Sequence, residues 1–180
     1  MNRHLKKLSE ETLNTNPWWV YKKDEFEIGG EKGEYYYGEN NGSVIVVPVL
    51  DDGRLILVVQ HRYLRDKLSI EFPCGGINGG EAIQNAAERE FFEETGYKGQ
   101  EFIKLGVFDP LNGLFKDTSH VFLARGLEQI HGPQHDTKEH IEVLYRRPDE
   151  IDEMIRKNEI WDGQTMATWA MVSGSFRHAD

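Results

Sequence analysis

The sequence predicts a single α/β domain, and three observations lead to this expectation. Apolar, β-branched runs such as residues 44–50 are bounded by turn residues, a pattern typical of strands. One helix is expected directly after a glycine-rich segment, and two more are expected near the C-terminus. Strands and helices alternate without a second core, and 180 residues fit one domain.

The N-terminal segment is expected to contain a short helix followed by strands. Leu5, Leu8 and Leu13 recur at helical spacing, which favours an amphipathic helix within residues 1–16. Aromatic and apolar runs then alternate with glycines, a pattern typical of strands separated by turns. These strands are expected over residues 18–21, 26–28 and 35–37.

The rest of the chain is expected to contain a hairpin, further strands and two helices. Asp51, Asp52 and Gly53 predict a turn, from which residues 54–62 return as the partner of strand 44–50. Further strands are expected over residues 69–72, 102–108, 119–124 and 141–146, with a polar loop over 130–138. The closing helices are expected over residues 148–158 and 163–172.

These elements predict three parts of unequal size. Residues 1–40 are expected to be an N-terminal extension of the same domain, and residues 41–173 its main body. Residues 174–180 follow the last predicted helix and are expected to be a disordered tail.

Composition excludes several classes of function. A formal net charge of −10 argues against nonspecific nucleic-acid binding, which needs clustered lysine and arginine. No apolar run approaches the roughly 20 residues that span a bilayer, and the basic residues 1–7 lack the apolar stretch of a secretory signal. One cysteine cannot form an internal disulfide, which fits a reducing compartment. We therefore expect a cytoplasmic protein that binds neither nucleic acid nor membrane.

The most informative segment is a glycine-rich stretch followed by an acidic helix, over residues 75–97. A helix turns about 100° per residue, so Glu90 and Glu94 stack one turn apart with Glu93 beside them. Like charges at this spacing repel each other and weaken an isolated helix. The cluster makes sense if divalent cations bind between the carboxylates, whose hard oxygen atoms suit magnesium or manganese.

The alternative interpretation is a solvated acidic face, which is what most glutamate-rich helical stretches form. The position of the apolar stripe argues against it. Five residues lie within about 60° of one line along the helix: Ile83, Ala86, Ala87, Glu90 and Glu94. The glutamates continue the stripe that faces the core, whereas a solvated face should lie opposite to it.

This segment matches the Nudix box, GX5EX7REUXEEXGU with U a bulky apolar residue, at every fixed position. Phe91 fills the first U, and Tyr97 fills the second, where an aliphatic residue is commoner. The chain therefore resembles a Nudix hydrolase. The resemblance implies an α/β/α sandwich with a mixed sheet. It also implies metal-dependent cleavage of a nucleoside diphosphate that is linked to another group.

The resemblance assigns a role to each matched position. Four residues would ligate Mg²⁺ or Mn²⁺, the last of them through its carbonyl oxygen: Glu90, Glu93, Glu94 and Gly75. Arg89 would hold the glutamates in place, and Glu81 would steady the loop and the helix.

The flanking segments resemble the ADP-ribose pyrophosphatase branch of this family. Residues 60–63 and 70–75 match its Q-x-R and E-[LF]-P-A-G segments, with Cys74 in place of the usual alanine. Arg62 would then contact phosphate, for which a guanidinium fork is suited, and Glu71 would contact substrate or metal. Glu139 matches a glutamate on a mobile loop that can serve as the catalytic base, with Glu93 as the alternative base.

Several of these residues also have a purely structural interpretation. Arg62 could be a solvent-facing strand residue, and Glu139 an exposed loop carboxylate. Trp18 and Trp19 are more often core or dimer contacts than stacking platforms. In the branch that the chain resembles, however, the N-terminal strands commonly join a homodimer, and aromatic residues there can stack on adenine.

The substrate that the resemblance implies is ADP-ribose, cleaved to AMP and ribose 5-phosphate. Pro110 matches a proline of that branch, but residues 111–115 do not reproduce the usual continuation of a loop that shapes the substrate pocket. Another nucleotide sugar, a dinucleoside polyphosphate or a (d)NTP therefore stays open.

Two alternatives lie outside catalysis. An ADP-ribose-sensing transcription factor would need a DNA-binding module, and the residues after Arg147 are too few and too acidic for one. A non-catalytic ADP-ribose-binding module would have no reason to keep mutually repelling carboxylates, and the glutamate set is intact.

Overall fold

The computed structural model describes residues 4–132 and 141–176. The chain forms two compact units. The first unit consists of Met1–Gly42 and Asp109–Thr118, and the second of Ser43–Phe108 and Ser119–Asp180. None of the helices in residues 4–132 and 141–176 combines the length and the apolar composition of a membrane span.

Strands and helices follow one another along the chain with short connections. The strands are β1 (Lys6–Thr15), β2 (Val20–Ile28), β3 (Glu31–Glu39), β4 (Ser43–Pro48), β5 (Leu55–Arg62), β6 (Lys67–Glu71), β7 (Cys74–Gly76), β8 (Tyr97–Phe108), β9 (Phe115–Lys116), β10 (Ser119–Gln129) and β11 (Ile141–Arg146). The helices are α1 (Ile83–Thr95), α2 (Pro148–Arg156) and α3 (Gly163–Val172).

The first unit is a four-stranded sheet in the order β1-β2-β3-β9. The prediction of a helix within residues 1–16 is wrong, because β1 pairs along its length with β2. Cross-strand charge pairs favour this pairing, as Lys23 lies opposite Glu11 with their charged atoms 3.1 Å apart. Register shifts at two points of β1 break the strand period of two, so the leucines show helical spacing by chance.

The second unit contains two sheets with helices packed on both sides. One sheet has the order β7-β4-β10-β8, in which β4 and β10 are parallel and the other pairs antiparallel. Alternate residues of β4 enter different cores. Val44 and Val46 pack in a cluster with Ala86 of α1, whereas Ile45 packs in a cluster with Trp169 of α3. The predicted α/β/α sandwich with a mixed sheet is therefore confirmed.

The turn after β4 is present, but the predicted strand pairing across it is wrong. Gly53 has a φ of 82°, and the Leu50 N–H donates to the Arg54 carbonyl at 2.9 Å. Beyond the single bridge between Val49 and Leu55, β5 pairs with β11 and β6 in the second sheet. A turn sequence determines only that the chain reverses direction. Which strands pair in a sheet depends on which of their apolar faces are buried together.

The C-terminal helices follow the prediction closely, whereas the tail differs from it. α3 has its predicted bounds, and α2 ends two residues before the predicted position. Ser173–Phe176 forms a 3₁₀ turn, in which the Phe176 ring stacks on Trp169 with centroids 5.7 Å apart. Residues 174–176 are therefore ordered where the sequence predicts disorder, because the Phe176 ring packs on Trp169. Residues 177–180 lie outside the described part.

Candidate active site

The glycine-rich loop joins β7 to α1 in the second unit, and the start and the end of this segment are fixed by backbone contacts. β7 pairs with β4, which places Cys74 opposite Ile45. α1 ends at Gly96, whose φ of 75° and N–H bond to the Phe92 carbonyl at 2.8 Å form a left-handed C-cap. A side chain at position 96 would also overlap the His131 carbonyl. The glycine that ends the Nudix box is therefore a helix stop.

The Arg89 guanidinium connects the glutamates of α1 to the loop. Its Nε and Nη2 donate to the two oxygens of Glu81, each at 2.9 Å. Its Nη1 donates to Glu90 at 2.7 Å and to Glu93 at 3.3 Å, and its Nη2 also donates to the Gly76 carbonyl at 3.1 Å. One side chain thus orders three carboxylates, a contact set that suits the positioning role predicted for it.

Glu81 closes the glycine loop on itself. Its carboxylate accepts the Asn78 N–H at 3.0 Å in addition to the two bonds from Arg89. The Arg89 guanidinium, helped by the Asn78 N–H, lowers the pKa of Glu81 to about 2. Glu81 is therefore ionised at neutral pH and serves as the counter-charge that anchors Arg89.

Glu94 and Glu90 are the two carboxylates of α1 that lie on its core side, Glu94 buried and Glu90 half-buried. Glu94 is 8% exposed, and its Oε2 accepts the Cys74 N–H at 3.0 Å. Burial raises the pKa of Glu94 to about 8, with the Cys74 N–H opposing the shift and the charge of Glu90 adding to it. Burial also raises the pKa of Glu90, against the opposing effect of Arg89. Both anions are costly in this environment, and a cation would stabilise them.

Gly75 lies directly against the Glu90 carboxylate. A Cβ built at position 75 would overlap the carboxylate carbon and both oxygens of Glu90. A Cβ at the neighbouring Gly76 would meet nothing within 4 Å. The close approach of backbone and carboxylate therefore requires glycine at position 75.

The donor set fits a divalent cation of the hard, oxygen-binding type. Half-buried Glu90 and buried Glu94 are carboxylates of raised pKa, and a side chain at position 75 would block the backbone beside Glu90. In the described part of the chain, no three acidic, histidine or cysteine side chains already converge to hold a metal ion. Glu90 and Glu93 instead contact Arg89, and Glu94 contacts the Cys74 N–H.

Arg62 and Glu71 form a second charged pair close to Glu94. Glu71 is 3% exposed, and Arg62 donates to both of its oxygens, from Nε at 2.8 Å and from Nη2. Gln60 donates to the same carboxylate at 3.4 Å. The charges of this pair act on the pKa of Glu94 in opposite directions. The structure shows Arg62 compensating a buried carboxylate, and its predicted contact with phosphate stays a prediction.

Three other predicted site residues lie outside the described part of the second unit. Trp18 and Trp19 belong to the first unit, where Trp18 is 79% exposed and the Trp19 ring lies 5.8 Å from Phe115. Their predicted stacking on adenine stays a prediction. Glu139, the predicted base, lies outside the described residues.

Sequence reasoning missed the contribution of α3 to this region. Thr165 accepts the N–H of Phe72 at 3.2 Å, and the Gln164 side chain accepts the thiol of Cys74 at 3.4 Å. These contacts join residues about ninety positions apart, and no local pattern in the sequence signals them.

The NUDIX domain family model matches residues 39–169. The chain therefore belongs to the NUDIX family, as its box predicts, and it is a hydrolase of that family. Enzymes of this family generally need divalent metal ions.

Known proteins resemble this chain over most of its length. It is 29% identical over 147 residues to the ADP-ribose pyrophosphatase of Bacillus subtilis (strain 168), covering 81% of this chain and 80% of that protein. It is 34% identical over 127 residues to the ADP-sugar pyrophosphatase of Mus musculus, covering 63% and 57%. A crystal structure of an ADP compounds hydrolase matches with a TM-score of 0.82 at 20% identity, covering 95% and 93%, which shows a shared fold.

We expect Gly75→Ala to abolish most of the activity while leaving the protein folded. The new methyl group would push the Glu90 carboxylate away from the backbone, and displaced ligand geometry typically costs about 10–100-fold in metal affinity or activity. Steady-state rates and melting temperature measure the effect. Gly76→Ala is the matched control, because its Cβ has open space. Equal rates in the two variants would show that the close approach at position 75 has no role.

Proposed function

We propose that the protein hydrolyses the pyrophosphate of ADP-ribose, giving AMP and ribose 5-phosphate, with Mg²⁺ or Mn²⁺ as cofactor. The observation that carries this proposal is a pair of carboxylates, half-buried Glu90 and buried Glu94, whose pKa values are raised beside the glycine loop. Carboxylates in such surroundings destabilise the fold when no cation is bound, and they are suitable ligands for a divalent cation. The likeness to the ADP-ribose pyrophosphatase of Bacillus subtilis supports the choice of substrate.

Four residues would hold the metal: Glu90, Glu93, Glu94 and the Gly75 carbonyl. Bound there, a divalent cation supplies charge stabilisation for the phosphate oxygens and acidifies bound water. The contacts of Arg89 with Glu81, Glu90 and Glu93 order the carboxylates before the substrate arrives. Preorganised charged groups are effective in catalysis because they need not rearrange during the reaction.

Arg62 would provide positive charge for the diphosphate. The protein carries a formal net charge of −10, so an anionic substrate meets repulsion at long range. Arg62 lies near Glu94 and is partly exposed, with its guanidinium already oriented by the buried Glu71. A fixed guanidinium loses little freedom when it binds a phosphate oxygen.

The general base of the proposed reaction is Glu139, and the support for this assignment is the sequence resemblance alone. The alternative base is Glu93, whose side chain is 50% exposed and is within reach of solvent beside Arg89. A base must deprotonate water close to the metal, and a residue on a separate segment can do so without serving as a metal ligand.

Three further proposals concern the rest of the protein. Trp18 and Trp19 would stack on adenine, and the strands of the first unit would join two copies of the chain into a homodimer. The exposed Trp18 ring supports the stacking role, since it offers an aromatic face to a ligand. A cytoplasmic location is proposed from the presence of a single cysteine.

A second candidate substrate is another ADP-linked or nucleotide sugar. The likeness to the ADP-sugar pyrophosphatase of Mus musculus favours it, as does the departure of residues 111–115 from the usual loop sequence. The metal site and the reaction would be the same, and only the groups attached to the two phosphates would differ.

A substrate panel with magnesium tests the proposed function. ADP-ribose, ADP-glucose, a dinucleoside polyphosphate and dGTP are incubated with the protein, and the products are resolved by chromatography. We expect ADP-ribose to be cleaved fastest, to AMP and ribose 5-phosphate, and the activity to vanish in excess EDTA and return with Mg²⁺ or Mn²⁺. Faster cleavage of ADP-glucose would favour the second candidate. Turnover that persists in excess EDTA would exclude the metal-dependent mechanism.

Replacing the proposed base tests the role of Glu139. We expect Glu139→Gln to lower kcat by about 10²–10⁴-fold with little change in KM, because an amide cannot accept the proton from water. Glu128→Gln, at an exposed position of β10, is the control and should keep the wild-type rate. A wild-type kcat in Glu139→Gln would transfer the role to Glu93.

A further inference from the structure

The active-site segment begins at a two-residue crossover between the sheets of the second unit. Glu71 is the last residue of β6 and pairs with Val58 in one sheet, whereas Cys74 is the first residue of β7 and pairs with Ile45 in the other. The chain passes between these two residues through Phe72 and Pro73 alone. Any movement of the crossover therefore moves Cys74.

The backbone N–H groups of the crossover have few ways to be satisfied. Phe72 has left the ladder of β6, and its N–H is buried. Pro73 has no N–H. The N–H of Cys74 is used by the Glu94 carboxylate at 3.0 Å. A buried N–H without an acceptor is unfavourable, so the Phe72 N–H needs a partner from elsewhere in the chain.

Thr165 supplies that partner from the first turn of α3. Its Oγ1 accepts the Phe72 N–H at 3.2 Å, and the residue is 2% exposed. Its own N–H donates to the carboxylate of Asp162, the N-cap residue of α3, at 2.7 Å, which fixes Thr165 in the first turn of the helix. The hydroxyl is therefore held by the helix and binds the crossover at a defined point.

The same turn of α3 also contacts the far end of the crossover. Gln164 accepts the Cys74 thiol at 3.4 Å, and one turn later the Trp169 ring packs against Phe72 with centroids 6.4 Å apart. Thr165 provides the one hydrogen bond from α3 to the crossover backbone among the contacts of the described residues.

We propose that Thr165 is a positioning residue of the hydrolase. It acts through Phe72 and Cys74 to keep the Cys74 N–H on the Glu94 carboxylate, and Gly75 against Glu90. This inference deepens the proposed function and rests on it. Residues that orient metal ligands without binding the metal themselves typically lower metal affinity or activity by about 10–100-fold when they are removed.

A second threonine on α3 shows that burial alone does not require this hydrogen bond. Thr168 is fully buried one turn further along, and its hydroxyl has no partner among the described residues. Thr168→Val should therefore be harmless, since it replaces a hydroxyl without a partner by a methyl group of similar size. The contrast between the two threonines isolates the hydrogen bond to the crossover.

The experiment compares three variants of the full chain: Thr165→Val, Thr165→Ser and Thr168→Val. Valine keeps the shape of threonine and removes the acceptor, whereas serine keeps the acceptor. For Thr165→Val we expect a fall in kcat of about 10–100-fold, a KM within about twofold of wild type, and Mn²⁺ affinity weakened to a similar extent in calorimetric titration. Thr165→Ser and Thr168→Val should retain wild-type kcat and Mn²⁺ affinity.

Two results would overturn the positioning role. One is wild-type kcat and Mn²⁺ affinity in Thr165→Val. The other is a loss in Thr165→Ser as large as that expected for valine, a result that stands even if the valine variant does not fold. The Mn²⁺ titration also separates this inference from the proposed function. A wild-type protein that binds Mn²⁺ but cleaves no diphosphate would overturn the proposed function, whereas equal Mn²⁺ affinity with and without the hydroxyl would overturn the role of Thr165.

Discussion

The site depends on the partial burial of two carboxylates of α1, Glu90 against Gly75 and Glu94 against the Cys74 N–H. Glu94 and Glu90 lie on the core side of α1, where burial raises both pKa values. Charges in such surroundings are tolerated only with close compensation. The Cys74 N–H and the Arg89 guanidinium supply part of it, and a divalent cation would supply the rest. The fold thus holds two carboxyl groups whose ionised forms a bound cation would stabilise.

The same short segment gives two glutamates opposite electrostatic environments. Glu81 meets Arg89 with both oxygens, and its pKa falls to about 2. Glu94 meets one backbone N–H in a buried position, and its pKa rises to about 8. The first is a permanent counter-charge that fixes the arginine, and the second is the residue that we propose as a metal ligand. The sequence spacing assigns both residues to the Nudix box. Their different burial and neighbours then give them different pKa values and different roles.

The sequence predicts the acidic helix and its glycine loop well because their signals are local. A helical stripe, a box of fixed spacing and a terminal glycine all lie within residues 75–97, and α3 likewise follows from its own pattern. The first strand is not predicted, because register shifts break its period. The partner of β5 is not predicted either, since a turn specifies a reversal and not a ladder. The role of Thr165 is not predicted from sequence, because its hydrogen bond joins it to Phe72, which is distant in the chain.

Whether the α1 carboxylates bind a divalent cation is tested most directly by calorimetric titration of Mn²⁺ into three proteins: wild type, Glu94→Gln and Glu88→Gln. Glu88 is exposed on the same helix, so its variant controls for the loss of one acidic charge. We expect saturable binding to wild type and to Glu88→Gln, and affinity at least about tenfold weaker in Glu94→Gln. Identical isotherms for wild type and Glu94→Gln would contradict this expectation.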